Sequence, residues 1–217
     1  KDFDRFVSRT KNRPLASDKL SSIEAFIFAT VLIFIAFLLV LTTNTLTVQL
    51  SFVAVILAGV YPFLKRYTYL PQIFLGLAFG WSIPMTFAAT TNSIPDIAWL
   101  LLIANILWTV VYDTIYAMVD REDDLKIGIK STAILFDDAD RTIIAIIQVL
   151  ALAALAIVGK QASLNFVYYF CLILGGCLFV YQSYLIKNRE PKKCMQAFLN
   201  NNWFGLIVFI GLFVNYM

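Results

Sequence analysis

Apolar segments long enough to cross a membrane alternate with short polar segments along the whole chain. A helix needs about 20 apolar residues to span a bilayer, and runs of this length recur seven times. The expected spans are 22–42, 46–64, 71–90, 97–119, 141–159, 164–186 and 198–216. The pattern predicts an all-α fold, a polytopic transmembrane helical bundle. The Asn200–Asn202 run is expected to cap or begin the last span.

The composition agrees with this pattern and excludes several kinds of chemistry. Hydrophobic residues make up 60% of the 217 residues, and the mean hydropathy of +0.79 is too high for a soluble domain of this size. The chain has no His, which excludes a His-ligated metal and a His general base. Its three Cys suggest neither a disulfide framework nor a CxxC metal motif. We expect the lipid bilayer as a partner and no nucleic acid.

Charged residues lie almost entirely on one side of the predicted bundle. Sixteen of the 17 Lys and Arg, all but Lys160, and thirteen of the 14 acids, all but Asp96, fall on that side. The positive-inside rule makes this side cytoplasmic. We therefore expect the amino end of this chain inside, its carboxyl end outside, and the chemistry at the cytoplasmic face.

The segment YDTIYAMVDREDD, at 112–124, runs from a predicted span into a group of carboxylates. Asp113, Asp120 and Asp124 are spaced seven and four residues apart, so they share one face if the helix continues. Acids this dense at a membrane boundary are costly unless a cation lies among them. Mg²⁺ takes oxygen ligands and commonly binds phosphate-bearing substrates. The segment therefore predicts a magnesium site for a lipid diphosphate, in a cavity open to the cytoplasmic face.

A lone DxxxD pair is more typical of a solvated, charged helix end than of a site. Asp113 changes this balance, because an ionisable residue inside a membrane span is by default a functional-site hypothesis. Asn105, Tyr112 and Tyr116 add polar and aromatic groups to nearby faces of the same helix. The combination favours a catalytic site.

Three basic segments are candidates for binding the anionic groups of a substrate. They contain Arg9 and Arg13 in DRFVSRTKNRPL, Lys65 and Arg66 in YPFLKRYTYLPQ, and Lys126 and Lys130 in KIGIKSTAILF. Each segment can also be an ordinary basic loop beside a membrane span. Arg offers a planar fork to carboxylate or phosphate, whereas Lys offers a point charge. The third segment is expected to be a loop that enters an interfacial helix.

Five stretches, taken in order, carry a family resemblance: RTKNRPL, VYPFLKRYTYLPQ, FGWSIPM, ANILWTVVYDTIYAMVDREDD and KIGIKSTAILF. Over essentially its whole length the chain resembles the UbiA family of intramembrane aromatic prenyltransferases. Within that family it is most similar to the 4-hydroxybenzoate polyprenyltransferases of ubiquinone biosynthesis.

The resemblance implies a nine-helix bundle with two Asp-rich motifs on cytoplasmic segments. Asp120 and Asp124 match the second motif. The first motif has the form NDxxDxxxD and precedes an RTxxRPL-like stretch, so only its last acid is matched, by Asp4. Its earlier positions would precede this chain, together with about two helices. We therefore expect a single, N-terminally truncated transmembrane domain, with 1–20 as a cytoplasmic remnant of the first motif and 21–217 as the seven helices.

The resemblance also implies an activity, which is expected of the full-length parent. A polyprenyl group passes from polyprenyl diphosphate to the ring carbon ortho to the hydroxyl of 4-hydroxybenzoate, at a bacterial inner membrane, and diphosphate is released. Mg²⁺ would be held by Asp4, Asp120 and Asp124. The expected catalytic residues are Asp113, Asp120, Asn105, Tyr112 and Tyr116, and the expected substrate-binding residues are Arg66, Lys65, Arg9, Arg13, Lys126 and Lys130.

Other functions stay open at this point. A related prenyltransferase would use haem, homogentisate or a naphthoate as acceptor. A proton-coupled transporter should carry acids on several spans near the midplane, whereas here the acids crowd one membrane face. A retinal-type receptor needs a mid-helix Lys, which is missing from the predicted spans. A purely structural subunit is disfavoured by Asp113.

Overall fold

The computed structural model describes residues 10–217; Asp4 and Arg9 lie outside this range. Within it the chain forms helices and no strand. The helices are α1 (Ser22–Val40), α2 (Thr45–Leu64), α3 (Pro71–Gly80), α4 (Ser82–Thr91), α5 (Asp96–Ile127), α6 (Thr132–Phe136), α7 (Asp140–Gln161), α8 (Phe166–Leu185) and α9 (Pro191–Asn215). Short 3₁₀ turns lie at Asp137–Ala139 and Ile186–Asn188.

Seven stretches of helix are long and apolar enough to cross a bilayer. The third consists of α3 with α4, and the fifth of α6 with α7. The prediction of an all-α bundle with seven spans is therefore confirmed. The short α6, between the acidic end of α5 and α7, also agrees with the helix predicted at the membrane interface.

The third predicted span is interrupted at Trp81. Pro84 has no N–H to donate to the carbonyl of Gly80, one turn earlier, so the span divides into α3 and α4. The indole Nε1 of Trp81 donates a hydrogen bond to the Leu50 carbonyl of α2, at 3.0 Å. The interruption is therefore held against a neighbouring helix.

The central helix α5 is longer than its predicted apolar span. That span ends at residue 119, whereas the helix continues, as the shared face of the three acids requires, and runs over 32 residues from Asp96 to Ile127. At about 1.5 Å per residue it is about 48 Å long, whereas the hydrocarbon core of a bilayer is about 30 Å thick. Its last turns therefore continue beyond the apolar layer. Gly128 ends the helix with a φ of 70°, a conformation that Gly adopts without strain.

The last helix begins earlier than the sequence predicts. α9 begins at Pro191, because the first position of a helix needs no N–H donor. The expectation that Asn200–Asn202 caps or begins this span is wrong, since the run lies in the middle of α9. Asn201 Oδ1 accepts a hydrogen bond from Trp108 Nε1 of α5, at 2.9 Å. The polar run thus joins α9 to its neighbours.

The bundle is arranged around α5, which packs against α3, α4, α6, α7 and α9. α8 packs mainly against α9 and α7, and α1 contacts α2 without burying any of its own residues. Large apolar side chains face outward, including Phe26, 73% exposed, and Phe166, 80% exposed. An apolar exterior of this extent is typical of a protein surrounded by lipid.

The polar end of the bundle, as used below, consists of residues 65–70, 120–140 and 186–190. Helices α2, α5 and α8 end there, and α3, α7 and α9 begin there. Hydrogen bonds between these segments, such as Lys130 N to the Lys65 carbonyl at 3.0 Å, hold them together.

Small residues let α3 approach α5 closely just below this end. A Cβ added at Gly76 would lie 2.9 Å from Ile106 Cα and 3.2 Å from Thr109 Cβ. The first of these atoms belongs to the backbone, which cannot move aside without shifting the helix. The distance between α3 and α5 therefore depends on the absence of a side chain at Gly76.

We expect Gly76→Ala to destabilise the bundle. Overpacking of a tight contact costs about 1–3 kcal/mol, and each kcal/mol lowers the melting temperature of a chain of this size by roughly 2–4 °C. The measurement is thermal unfolding in detergent. Gly59→Ala is the control, because no atom lies within 4 Å of its added Cβ, and it should keep or raise the melting temperature. Equal melting temperatures for both variants would contradict this account of the α3–α5 contact.

Candidate active site

Three carboxylates share one face of α5, as their spacing predicts. Because α5 continues to Ile127, Asp113, Asp120 and Asp124 fall within about 40° of one another around the helix axis. Asp113 and Asp124 are each 8% exposed, and Asp120 is half-buried. Asp120 and Asp124 repel each other at this spacing, and Asp124 lies near the negative end of the helix dipole. This face of α5 therefore favours bound positive charge.

Asp113 lies where α2, α3 and α5 meet. Its carboxylate interacts electrostatically with Lys65, the residue that caps the end of α2, and with Gln72 of α3. Tyr61 of α2 interacts with Asp113 as well as with Tyr112 and Tyr116. The buried acid is thus surrounded by one cation, one amide and several phenol groups.

Gln72 connects this cluster to α6. Its side chain is fully buried, and its Oε1 accepts a hydrogen bond from the backbone N–H of Thr132, at 3.2 Å. Its Nε2 makes no hydrogen bond of normal geometry in the described part of the chain, although the amide interacts with Asp113. The Thr132 hydroxyl in turn lies 2.6 Å from that of Thr114 on α5. A buried amide whose N–H₂ makes no such hydrogen bond can donate to a polar substrate group beside the carboxylate.

The two predicted basic loops at the polar end contact each other. Lys130 Nζ donates a hydrogen bond to the Tyr67 carbonyl, at 3.3 Å, and lies 5.3 Å from the centre of the Tyr69 ring. Its backbone N–H bonds the Lys65 carbonyl. The segment after α5 is therefore fastened to the loop between α2 and α3.

The remaining predicted cations are spread more widely. Lys65 is half-buried near Asp113, whereas Arg66 and Arg13 are exposed. Lys126 is exposed and pairs with Asp123 at 3.5 Å, on a different face of α5 from the three acids. The structure thus places Lys65 beside Asp113 and joins Lys130 to the loop that follows Lys65. The roles of Asp4 and Arg9 stay predictions, since both lie outside the described residues.

Aromatic rings extend from the cluster along α5 towards α9. The ring of Tyr116 lies 4.7 Å from that of Phe198, and the ring of Tyr112 lies 5.6 Å from that of Trp108, edge to face. Tyr112, Trp108 and Phe198 also line a cavity of about 390 Å³ between α5 and α9. The rings form an apolar, π-rich surface beside the acids.

Asn105 lies apart from the acids. It is eight residues before Asp113, about 12 Å along the helix, and its Nδ2 donates a hydrogen bond to the Gly76 carbonyl, at 3.2 Å. With Trp108 and Phe204 it lines a second cavity, of about 150 Å³. The structure therefore places Asn105 on an apolar pocket and not beside the carboxylates.

Tyr61 and Gln72 are neighbours of Asp113 that the sequence pattern did not single out as site residues. Tyr61 lies one helical turn before Lys65, and Gln72 follows Pro71 at the start of an apolar helix. A polar side chain inside an apolar span is the signal that could have identified Gln72. Tyr61 carried no such signal, because Tyr is common at membrane interfaces.

The chain belongs to the UbiA prenyltransferase family, whose model matches residues 1–210. It is 57% identical to a protein of Saccharophagus degradans, over 98% of this chain and 71% of that protein. It is 53% identical to a protein of Psychromonas ingrahamii, over 100% of this chain and 76% of that protein. Both relatives are named 4-hydroxybenzoate octaprenyltransferase.

Solved structures share the fold. A UbiA homolog from Aeropyrum pernix K1, in its apo form, superposes with a TM-score of 0.87 at 23% identity, over 100% of this chain and 81% of that one. A digeranylgeranylglyceryl phosphate synthase superposes with a TM-score of 0.72 at 19% identity, over 99% of this chain and 76% of that one. The helical architecture is thus that of the family.

Lys130→Ala should loosen the loop between α2 and α3. The change removes the hydrogen bond to Tyr67 and the cation–π contact with Tyr69, together worth about 1 kcal/mol at an exposed site. Hydrogen exchange of the amides at 66–70 should therefore be roughly fivefold faster. Lys126→Ala is the control, since Lys126 pairs with Asp123 of its own helix. Unchanged exchange at 66–70 in Lys130→Ala would show that the loop is held by other contacts.

Proposed function

We propose that the protein transfers a polyprenyl group from polyprenyl diphosphate to the ring carbon ortho to the hydroxyl of 4-hydroxybenzoate, in ubiquinone biosynthesis. The observation that carries this proposal is the high identity to proteins named 4-hydroxybenzoate octaprenyltransferase, 57% and 53% over nearly the whole chain. The site agrees with it chemically, because an acidic face, nearby cations and an aromatic surface suit an anionic lipid donor and an aromatic acid.

The donor set on α5 fits Mg²⁺, which prefers carboxylate oxygens. Asp120 and Asp124, four residues apart on one face, would hold the ion. Residues 10–217 by themselves contain no group of three acid, Cys or His side chains arranged to hold a metal. We therefore propose that Asp4 and the oxygens of the diphosphate complete the site. When bound, the ion would neutralise charge on the departing diphosphate.

The cations and rings at the polar end would orient the donor. Lys130, fastened to the loop between α2 and α3, would offer its charge to the diphosphate. As the bond between the allylic carbon and the diphosphate oxygen breaks, positive charge develops on the prenyl carbon. The faces of Tyr112 and Tyr116 can stabilise that charge. Their contacts with Trp108 and Phe198 hold both rings in place.

The acceptor would meet the prenyl carbon next to Asp113. Lys65 and Arg66, consecutive at the end of α2, offer positive charge to the carboxylate of 4-hydroxybenzoate. The ring carbon beside the phenol oxygen forms the new carbon–carbon bond, and its proton must then leave. Asp113, buried beside Gln72, is the carboxylate we propose as its acceptor.

The proposed location is the bacterial inner membrane, with the active site on the cytoplasmic face. Its support is the positive-inside rule, applied to the Lys and Arg that gather at the polar end of the bundle. The apolar cavities along α5 and α9 would receive the isoprenoid tail from the lipid side.

Product analysis tests the proposed reaction. Membranes containing the protein, expressed from its complete gene, are incubated with Mg²⁺, a polyprenyl diphosphate and 4-hydroxybenzoate, homogentisate or a naphthoate in turn. The expected result is diphosphate and a C-prenylated 4-hydroxybenzoate, with no product from the other acceptors. An ether formed at the phenol oxygen, or transfer to another acceptor alone, would contradict the proposal.

Asp120→Asn and Asp124→Asn should each lower kcat/KM for prenyl transfer by roughly 10²–10³-fold or more, because each removes a charged ligand while charge develops on the leaving group. The side-chain shape is kept, so folding should be unaffected. Asp123→Asn is the matched control, since Asp123 pairs with Lys126 on another face, and it should keep near-normal turnover. Near-normal turnover in either test variant at saturating Mg²⁺ would refute the assigned role.

Arg66→Lys should raise the KM for 4-hydroxybenzoate more than the KM for the polyprenyl diphosphate. A charge-assisted hydrogen bond is worth about 1.5–3 kcal/mol, so roughly a ten- to hundredfold rise is expected. Arg141→Lys is the control, because the Arg141 guanidinium bonds the Lys187 carbonyl away from α2. If the diphosphate KM rises instead, Arg66 belongs to the phosphate site, and the half-buried Lys65 becomes the first candidate for the carboxylate.

A further inference from the structure

A network of charged side chains holds α5 at the polar end of the bundle, on a different face of the helix from the three acids. Arg121, between Asp120 and Asp124 in sequence, donates a hydrogen bond to the Asp137 carboxylate. Its other terminal nitrogen lies 4.0 Å from the Asp140 carboxylate. One side chain thus links the end of α5 to the start of α7.

Asp140 is the buried centre of this network. It is fully buried, and it accepts two hydrogen bonds from the Arg189 guanidinium, both at 2.8 Å. It also accepts one from the backbone N–H of Arg141, at 2.6 Å. A buried carboxylate that is satisfied in this way is a rigid anchor, because moving it would leave an unpaired charge.

Arg189 closes the network from the connection between α8 and α9. Besides bonding Asp140, it donates to the Asp138 carbonyl, at 3.0 Å. Its own backbone has a φ of 54°, unusual for a residue with a side chain. The hydrogen bonds to Asp140 raise the pKa of Arg189 further, so its guanidinium stays charged. Three separate segments therefore meet at one ion-pair network, which we name the Arg121 clamp: Arg121, Asp137, Asp138, Asp140 and Arg189.

Beyond the buried apolar cluster that contains Met118 and Ile186, the last turns of α5 border a cavity on the same side. This cavity, of about 510 Å³, is lined in part by Met118, Arg121, Leu125 and Arg189. Arg121 is about a quarter turn around the helix from the face of the three acids. An open space therefore lies beside the end of α5 on this face, and the Arg121 clamp spans it.

We propose that Arg121 is a positioning residue that, through Asp137, Asp140 and Arg189, fixes the end of α5 so that Asp120 and Asp124 face the diphosphate. This inference rests on the proposed function for the role of the two acids. In this role Arg121 acts through its contacts with Asp137 and Asp140 and not on a reacting atom. Its effect is to keep the carboxylates of Asp120 and Asp124 facing the cations on the other side of the site.

Hydrogen exchange tests the mechanical part of this proposal without turnover. In Arg121→Gln, the amides of 120–127 should exchange about tenfold faster than in the parent protein, while those of 97–112 stay unchanged. Arg141→Gln is the matched control, because Arg141 bonds the Lys187 carbonyl and not α5. Its exchange at 120–127 should equal that of the parent.

Binding and kinetics test the consequence for the site. Mn²⁺ titration followed by electron paramagnetic resonance should show affinity lowered five- to fiftyfold in Arg121→Gln. The KM for polyprenyl diphosphate should rise, while turnover at saturating metal and donor falls less. Arg121→Lys keeps one hydrogen bond to Asp137 and should restore part of the affinity. A merely structural defect would lower the amount of folded protein and leave the affinity of the remainder unchanged.

A second variant keeps the test decisive if Arg121→Gln fails to accumulate. Asp140→Asn with Arg189→Gln removes the buried carboxylate and its half-buried partner together and should loosen 120–127 in the same way. Folded variants with parental exchange at 120–127 and parental Mn²⁺ affinity would overturn the clamp. Exchange and Mn²⁺ binding need no catalysis, so a parent protein that transfers no prenyl group would contradict the proposed function alone.

Discussion

The structure depends on one constraint: a continuous helix must carry carboxylates from inside the membrane to beyond it. α5 does this because it does not stop at the end of its apolar segment but continues to Ile127. Asp113 is thereby fixed within the span, and Asp120 and Asp124 are fixed outside it on the same face. A break in the helix between them would let the carboxylates turn away from one another. A bound cation could then no longer offset the free-energy cost of placing these acids at the membrane.

The rest of the bundle can be understood as support for this helix. α3 approaches α5 closely at Gly76, which brings Gln72 to Asp113. α6 fastens to α5 through Thr132 and to α3 through Gln72. Beyond the buried cluster around Met118, where a cavity borders the last turns of α5, the ion pairs of the Arg121 clamp add further contacts. Apolar contacts thus hold α5 within the membrane, and charged contacts add to them at the polar end, where they form a network around the buried Asp140 instead of isolated, solvent-exposed pairs.

Much of this arrangement could be predicted from the sequence, because apolar length and charge position are local properties. The seven spans and the shared face of the acids follow directly from spacing. The start of α9 could not be predicted in this way, since a charged turn such as the one around Lys193 looks like a loop unless the surrounding contacts are known. Gln72 lies beside Asp113, a residue 41 positions later in the chain. Arg121 and Arg189, 68 positions apart, both pair with Asp140. No local pattern encodes such pairings.

The most direct test of the account is to locate the metal. The protein, expressed from its complete gene, would be crystallised or imaged with Mn²⁺ and a non-hydrolysable analogue of the prenyl diphosphate. Anomalous scattering at the manganese edge should place at least one ion about 2.0–2.2 Å from carboxylate oxygens of both Asp120 and Asp124, with diphosphate oxygens completing its coordination. The claim that α5 carries a metal site would be contradicted by ions bound elsewhere. It would also be contradicted by a diphosphate held by Lys and Arg alone, with no ion at these two residues.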